Sequence, residues 1–311
     1  MKTHRIVVLV LTALVLAGAE GARADVVTDA NAKAADVASR NPATPIAVRT
    51  MAIVQVSVFE AVNAITGRYP TYRAKIQQAP RASVDAAVAA ATRTALSKLM
   101  PAQQAAIDAD YQAALRPLPD GPANADGITV GELAATALLA LCADDGMVAP
   151  DVYRPHTAAG AYVPTLLPAV PHWGKRRPWV MAHLQPLASD HGIRNGDLDG
   201  NDATARDPGW TPFIDTPMHP EYPCAHCIVS GSLGAVLQAE IGSGPVPKLS
   251  SASSTAGGAV RTWTSLGDFV QEVAVARIYD GVHYRNSTEV GTAMGKKIGE
   301  LAVKSFARPI R

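Results

Sequence analysis

The chain has 311 residues, of which 48% are hydrophobic, 18% are charged and 5% are aromatic. This composition excludes a disordered chain, and the length suffices for one large or two small folded domains. A formal net charge of +1 excludes attraction of nucleic acid or of an anionic membrane by the overall field of the protein. Because alanine is abundant and aromatic residues are few, we expect closely packed helices and an all-α fold.

The first 24 residues have the pattern of a cleaved secretory signal. Lys2, His4 and Arg5 precede an apolar run over residues 6–18, and small residues lead up to Ala24 at the spacing that a signal peptidase recognises. The alternative is a membrane anchor, but this run is too short to cross about 30 Å of hydrocarbon. We therefore predict that residues 1–24 are removed. Residues 25–311 would then form one exported domain, periplasmic or extracellular, with no stable membrane anchor.

Apolar residues recur at helical spacing along most of the remaining chain. Between Met147 and Pro223 this periodicity disappears, and prolines and glycines recur instead. An irregular stretch of that length inside a compact domain is unusual, and such stretches tend to be functional. The predicted helices are residues 29–39, 45–66, 83–99, 102–115, 128–143, 225–241, 266–279 and 288–306.

Two short segments carry residues that are suited to oxyanion chemistry. In the first, Pro223-Cys224-Ala225-His226 lies where a loop becomes a helix, so backbone N–H groups are expected to converge on an anion at the helix N-terminus. The small side chains of Cys224 and Ala225 would let the anion approach the backbone. His226 could then donate or accept a proton at the same centre.

The second segment runs from Arg277 to His283. The helix that ends near Tyr279 would place Arg277 on its last turn, and Gly281 would let the chain reverse and present His283. Arginine offers a planar set of donors that matches two oxygens of a phosphate or vanadate group. A neutral imidazole can attack phosphorus or coordinate a metal. The two segments together predict phosphoryl or vanadate chemistry.

These segments resemble the second and third motifs of the type 2 phosphatidic acid phosphatase and vanadium-dependent haloperoxidase superfamily. Those motifs read Pro-Ser-Gly-His, and Ser-Arg followed after five residues by His. The similarity is to exported bacterial members, and it implies a helical bundle of the haloperoxidase and acid phosphatase type. It extends to residues 51–54, 61–64, 197–201, 210–212 and 219–223.

The resemblance also implies an activity and a role for each site residue. His283 would be bound covalently to vanadate or phosphate, His226 would be the acid/base, and Arg277, Cys224 and Ala225 would surround the oxyanion. The implied reaction is oxidation of halide by hydrogen peroxide at vanadate bound to His283. The same pocket would accept phosphate, so a phosphomonoesterase that acts on phosphate esters through a phosphohistidine is one alternative. A non-catalytic secreted member is another.

The chain departs from the family pattern within both motifs. A thiol, which is a weak donor, replaces the hydroxyl of the serine at Cys224. Ala276 stands where the family has serine before the arginine. The acid that supports the site histidine is displaced, and Glu289 is its expected replacement.

The first family motif, a lysine followed six residues later by Arg-Pro, is not found where the resemblance predicts it. Residues 185–191 occupy that place and contain neither lysine nor arginine. One or two helices of the bundle are therefore expected to be missing. Lys175 and Arg177 are the candidate substitutes for the lost cations, and they would bind the oxyanion in that case.

Cys224 and Cys227 form a Cys-x-x-Cys pair, and the third cysteine is Cys142. In an exported protein this pair could be a structural disulfide or two free thiols. A redox pair and a zinc site are further alternatives, although no thioredoxin-like pattern and no second pair of zinc ligands accompany it.

Overall fold

The structure is a computed structural model, which describes residues 25–41, 43–152, 154, 170–181, 211–215, 217, 221–252 and 256–306. Eight α-helices and one antiparallel strand pair lie in these residues, which confirms the predicted all-α fold. The helices are α1 (Val26–Ser39), α2 (Thr44–Thr66), α3 (Val84–Leu99), α4 (Gln104–Leu115), α5 (Pro122–Leu141), α6 (Ala225–Ile241), α7 (Leu266–Tyr279) and α8 (Arg285–Ser305). The strands are β1 (Leu249–Ala252) and β2 (Val260–Trp263), and a short 3₁₀ helix spans Pro171–Lys175.

Four predictions concern residues outside these described ranges. They are the signal over residues 1–24, the absent first motif at residues 185–191 with its missing helices, the family-like residues 197–201, and the residues around His219. They stay predictions.

The predicted helices are confirmed, and two of them, α6 and α7, have the predicted bounds. The largest difference is at α5, which begins at Pro122 instead of residue 128. Proline is well tolerated in the first helical position, because the N–H group of a residue there makes no hydrogen bond within the helix. The strand pair was not predicted, since its side chains are mostly exposed and lack an alternating apolar pattern.

The described residues form two compact units. The first unit contains the described part of Met1–Thr66 together with Ile76–Leu139. The second unit contains Gly67–Lys75 and the described part of Ala140–Arg311. The assignment of residues 25–311 to one domain stays a prediction.

Small residues allow the helices of the first unit to approach closely. Gly127 and Gly131 of α5 lie against the carbonyl oxygens of Ser83 and Ala87, where a Cβ atom would collide with backbone. α2 packs against α1 and α3, and Glu60 within it is buried. α2 is the one described helix whose length and composition would allow it to cross a membrane. Its packing in this core accounts for the same apolar composition.

Three glycines of α8 set the close approach of α8 to α6 in the second unit. They recur every fourth residue and therefore share one face of the helix. A Cβ atom on Gly291 would lie 2.6 Å from the carbonyl oxygen of Cys224, and one on Gly299 would lie 2.5 Å from that of Ser232. Between them, Gly295 lies against the backbone of Ile228. This contact places the N-terminus of α6 beside the first turns of α8.

Glu272 of α7 attaches the strand pair to the helix. Its carboxylate accepts hydrogen bonds from Nε of Arg261 at 2.6 Å and from Nε1 of Trp263 at 2.7 Å. The bond from Arg261, followed by the bond from Trp263, lowers the pKa of Glu272 below its ordinary value of 4.5.

We expect this attachment to weaken in acid. A carboxyl group whose pKa is lowered by folding contributes stability that is present above the unfolded pKa and is lost as pH falls through the folded pKa. The change should therefore begin near pH 4.5 and continue below it. Fluorescence of Trp263, obtained as the difference from Trp263→Phe, should titrate in this window and lose that dependence in Glu272→Gln. Glu300→Gln on α8 is the control. A titration that persists in Glu272→Gln would contradict the assignment.

Candidate oxyanion site

The N-terminus of α6 lies at the predicted residue. Cys224 is the N-cap, and its Sγ accepts a hydrogen bond from the N–H of Cys227 at 3.2 Å. Ala225 and His226 are the first two helical residues, and both are exposed. The peptide bond between Tyr222 and Pro223, just before the cap, is cis. Helix geometry leaves the first N–H groups without helical acceptors, so this end of α6 favours an anion.

Cys224 and Cys227 form a disulfide, and both residues are fully buried. The pair is therefore a disulfide and not two free thiols, whereas a redox role stays a prediction. The disulfide also corrects the expected role of Cys224, because a disulfide sulfur has no hydrogen to donate. The N–H of Cys224 donates to the carbonyl oxygen of Ser287 at 3.2 Å instead. Ala225 as an anion contact stays a prediction.

The turn from α7 to His283 has the predicted form. Arg277 lies in the last turn of α7, only 8% exposed, and its Nη1 donates to Oδ2 of Asp280 at 2.8 Å. Gly281 has a φ of 76°, in the left-handed region that glycine enters at little cost. The N–H of Val282 bonds back to the carbonyl oxygen of Arg277 at 3.3 Å. Gly281 thus reverses the chain immediately before His283.

His283 is buried, with 1% of its side chain exposed. Its Nδ1 lies 3.0 Å from Oε2 of Glu221 and 3.5 Å from Oγ of Ser287. The expectation that Glu289 supports this histidine is wrong, because Glu289 is exposed on α8. α8 begins at Arg285, and His283 meets its carboxylate from the segment that precedes α6.

Ser287 connects the two segments that the sequence singled out. Its Oγ donates to the carbonyl oxygen of Glu221 at 3.0 Å, and its carbonyl oxygen accepts from the N–H of Cys224. From α7, Ala274 packs against the disulfide in a small buried cluster. The N-terminus of α6, the end of α7 and the start of α8 therefore meet at one place.

Three buried polar atoms of residues in these segments have no hydrogen-bond partner among the described residues. They are Nε2 of His283, Nε of Arg277 and the hydroxyl oxygen of Tyr222. Buried polar atoms are nearly always paired in native proteins, so such exceptions indicate a ligand or water. An imidazole nitrogen, a guanidinium nitrogen and a hydroxyl suit a tetrahedral oxyanion such as vanadate or phosphate. The residues present fit that group.

The two arginines that follow the 3₁₀ helix have partners of their own. Arg176 forms an ion pair with buried Asp145 and lies 4.5 Å from the ring centre of Trp173. Arg177 donates from its side chain to the carbonyl oxygen of Asp144, and Lys175 is exposed. A role for Lys175 or Arg177 in binding an oxyanion stays a prediction, as does the acid/base role of His226.

Sequence reasoning did not identify Glu221, Asp280 or Ser287 as site residues. Two of them carried a local signal. Asp280 lies three residues after Arg277, within reach on the same helical face, and Ser287 lies four residues after His283, near the place of the displaced acid. Glu221 is 62 residues away from His283 along the chain, and no local spacing relates the two.

Known proteins share both the sequence pattern of the site region and the fold. Residues 172–311 match a family model described as the VCPO second helical-bundle domain, and this range includes α6, α7 and α8. A bacterial vanadium-dependent iodoperoxidase aligns with a TM-score of 0.70 at 16% identity, over 89% of this chain and 95% of that chain. No curated protein matches the chain.

Two structures of a bacterial vanadium-dependent chloroperoxidase share the same fold. The holo form aligns with a TM-score of 0.62 at 10% identity, over 87% of this chain and 92% of that chain. The apo form gives 0.60 at 11% identity, over 81% and 90%. The fold is that of the helical haloperoxidases. Together with the family model matched over residues 172–311, it supports the resemblance to the type 2 phosphatidic acid phosphatase and vanadium haloperoxidase superfamily.

Proposed function

We propose that this protein is a vanadate-dependent haloperoxidase-like enzyme that oxidises halide with hydrogen peroxide. The observation that carries the proposal is the buried Nε2 of His283, which has no hydrogen-bond partner in the described part of the chain, while Glu221 holds the ring at Nδ1. A ligating histidine commonly has this arrangement, with one nitrogen on the metal and the other on a carboxylate. When bound, vanadate supplies the Lewis-acidic centre that makes peroxide reactive toward halide.

The chain's own residues would hold and orient the reacting groups. His283 would bind vanadium through Nε2. Arg277, fixed by Asp280, would neutralise oxyanion charge through the donors that Asp280 does not use. The first N–H groups of α6 would add partial positive charge. His226, on the first turn of that helix, would accept and return the peroxide proton.

The expected activity is limited by the number of cations. The family pattern provides a lysine and an arginine in its first motif, and residues 185–191 contain neither. Loss of one preorganised donor to an oxyanion costs about 2.7–4 kcal/mol, or about 10² to 10³ in rate. We therefore expect weak vanadate binding and slow turnover unless Lys175 or Arg177 compensates.

Export is part of the same proposal. The disulfide between Cys224 and Cys227 supports it, because disulfides persist in oxidising compartments and are rare in a reducing cytosol.

Titration of the purified protein with sodium orthovanadate tests the function. A ligand that binds only the native state stabilises it by about 2.7 kcal/mol at one hundred times its Kd, so the melting temperature should rise with vanadate concentration. Halogenation of monochlorodimedone with peroxide should then depend on vanadate. Arg277→Ala should lose both effects. Arg261→Ala removes an arginine that is also paired with a carboxylate, but outside the site, and should keep them.

The other outcomes separate the alternatives. Hydrolysis of p-nitrophenyl phosphate with no halogenation would replace the proposal by a phosphomonoesterase. Silence in both assays, with no stabilisation by vanadate, would leave a non-catalytic member of the family.

A further inference from the structure

The ring of His283 faces two hydrogen-bond acceptors at Nδ1. One is Oε2 of Glu221 at 3.0 Å. The other is Oγ of Ser287 at 3.5 Å, at the outer limit of a hydrogen bond. The hydroxyl hydrogen of Ser287 is already used, because this group donates to the carbonyl oxygen of Glu221 at 3.0 Å. Toward His283, Ser287 can therefore only accept.

This arrangement determines which nitrogen of the neutral ring carries the hydrogen. A neutral imidazole has one N–H, and acceptors at Nδ1 place the hydrogen there. Nε2 then keeps its lone pair. That atom is buried and has no partner among the described residues. A hydrogen on Nε2 would be buried without an acceptor, whereas a lone pair is what a metal ligand or a nucleophile needs.

We infer that Glu221 is a positioning residue that holds His283 in the Nδ1–H tautomer and increases the electron density on Nε2. This inference rests on the proposed function where it concerns vanadate. A carboxylate behind a ligating imidazole raises its basicity and fixes its orientation. Glu221 performs this role in place of an acid that follows His283 in the chain.

The structure also explains how a carboxylate from a distant segment is held in place. Ser287 fixes the backbone of Glu221 through its Oγ, and it fixes the N-cap of α6 through its carbonyl oxygen. Only Tyr222 and Pro223 lie between Glu221 and Cys224. The disulfide and the buried position of Cys224 anchor the end of this segment. The segment from Glu221 to Cys224 is thus held at both of its ends.

The tautomer can be measured without vanadate. In protein labelled with ¹⁵N-histidine, long-range proton–nitrogen correlations at about pH 8, where an ordinary imidazole is neutral, report which ring nitrogen carries the hydrogen. The signals of His283 are those lost in His283→Gln. We expect one tautomer with the hydrogen on Nδ1. Glu221→Ala should show both tautomers, and Glu289→Ala, which removes the exposed carboxylate on α8, should match the unmodified protein.

Two results would overturn the inference. One is a hydrogen on Nε2 of His283 in the unmodified protein, a result that does not depend on the folding of Glu221→Ala. The other is a Glu221→Ala spectrum that keeps the single Nδ1–H tautomer.

Vanadate affinity tests whether Glu221 increases the electron density on Nε2 of His283. Glu221→Gln retains a carbonyl oxygen that can accept from Nδ1 but removes the charge. We expect it to keep the tautomer while the Kd for orthovanadate, measured by calorimetry, rises about 10- to 100-fold. Glu289→Gln should leave the Kd within about twofold. An unchanged Kd in Glu221→Gln would show that the charge of Glu221 does not strengthen the binding of vanadate by Nε2. If the unmodified protein binds no vanadate, the proposed function fails while the tautomer measurement still judges Glu221.

Discussion

Replacement of His283 by alanine is expected to abolish vanadate-dependent halide oxidation. Removal of one oxyanion donor typically costs about 10² to 10³ in rate. Removal of the residue that bonds to the reacting centre should cost more, so we expect a loss of at least about 10³-fold. The initial rate of monochlorodimedone halogenation at saturating orthovanadate is the measurement. Near-ultraviolet circular dichroism of the variant should show an intact fold.

His172→Ala is the matched control for this variant. It removes a half-buried imidazole whose Nε2 is 3.0 Å from the carbonyl oxygen of Met147, a group that has no part in the site. We expect this variant to keep the rate within about threefold. If His283→Ala is as active as the unmodified protein, His283 is not the vanadium ligand.

Gly295→Ala is expected to lower the free energy of unfolding by about 1–3 kcal/mol. The added Cβ would meet the carbonyl oxygen of Ile228 and would lie 2.9 Å from both its carbonyl carbon and its Cα. These atoms are backbone of α6, so the two helices must separate, and overpacking of this kind costs about 1–3 kcal/mol, occasionally more. Alanine is otherwise favoured over glycine inside a helix by about 1 kcal/mol. A decrease in the free energy of unfolding would therefore show that α6 and α8 are in close contact at Gly295, and an increase would show that they are not.

Urea denaturation measures this effect, with the m-value as a check that the same transition is followed. Gly267→Ala is the control, because its Cβ would find only Oγ of Ser265 at 3.5 Å, an ordinary contact. We expect that control to be neutral or to gain up to about 1 kcal/mol. A Gly295→Ala protein that is as stable as the unmodified one would mean that α6 and α8 do not approach as closely as described.

The contact between α6 and α8 also affects the site. The glycines of α8 bring its backbone against α6, and this approach allows Ser287 to accept from the N–H of Cys224. We therefore expect Gly295→Ala to weaken vanadate binding even at temperatures where the variant remains folded.

Local physics explains which features could be predicted from the sequence. Helical periodicity gave α6 and α7 their bounds, because burial of one face repeats with the period of the helix. The position of Arg277 on the last turn and the reversal at Gly281 depend on neighbouring residues alone. The motif spacing indicated the family resemblance for the same reason, since it records residues that lie close along the chain.

Contacts between distant segments explain what could not be predicted. The spacing of the family motif led to the prediction that Glu289 supports His283. Glu289 is instead exposed, and the carboxylate beside Nδ1 of His283 belongs to Glu221. The state of Cys224 and Cys227 was open for a similar reason, because adjacency permits a disulfide without requiring one.

The sequence by itself determined the helices, the two segments that carry the site, and the family to which they point. Only the tertiary structure decided which carboxylate meets His283, and that Cys224 offers no hydrogen to an anion. The physical reason is that helix formation and turn geometry follow from neighbouring residues. The partner of a buried imidazole is chosen by whichever segment the packing of α6 against α8 brings within hydrogen-bond distance.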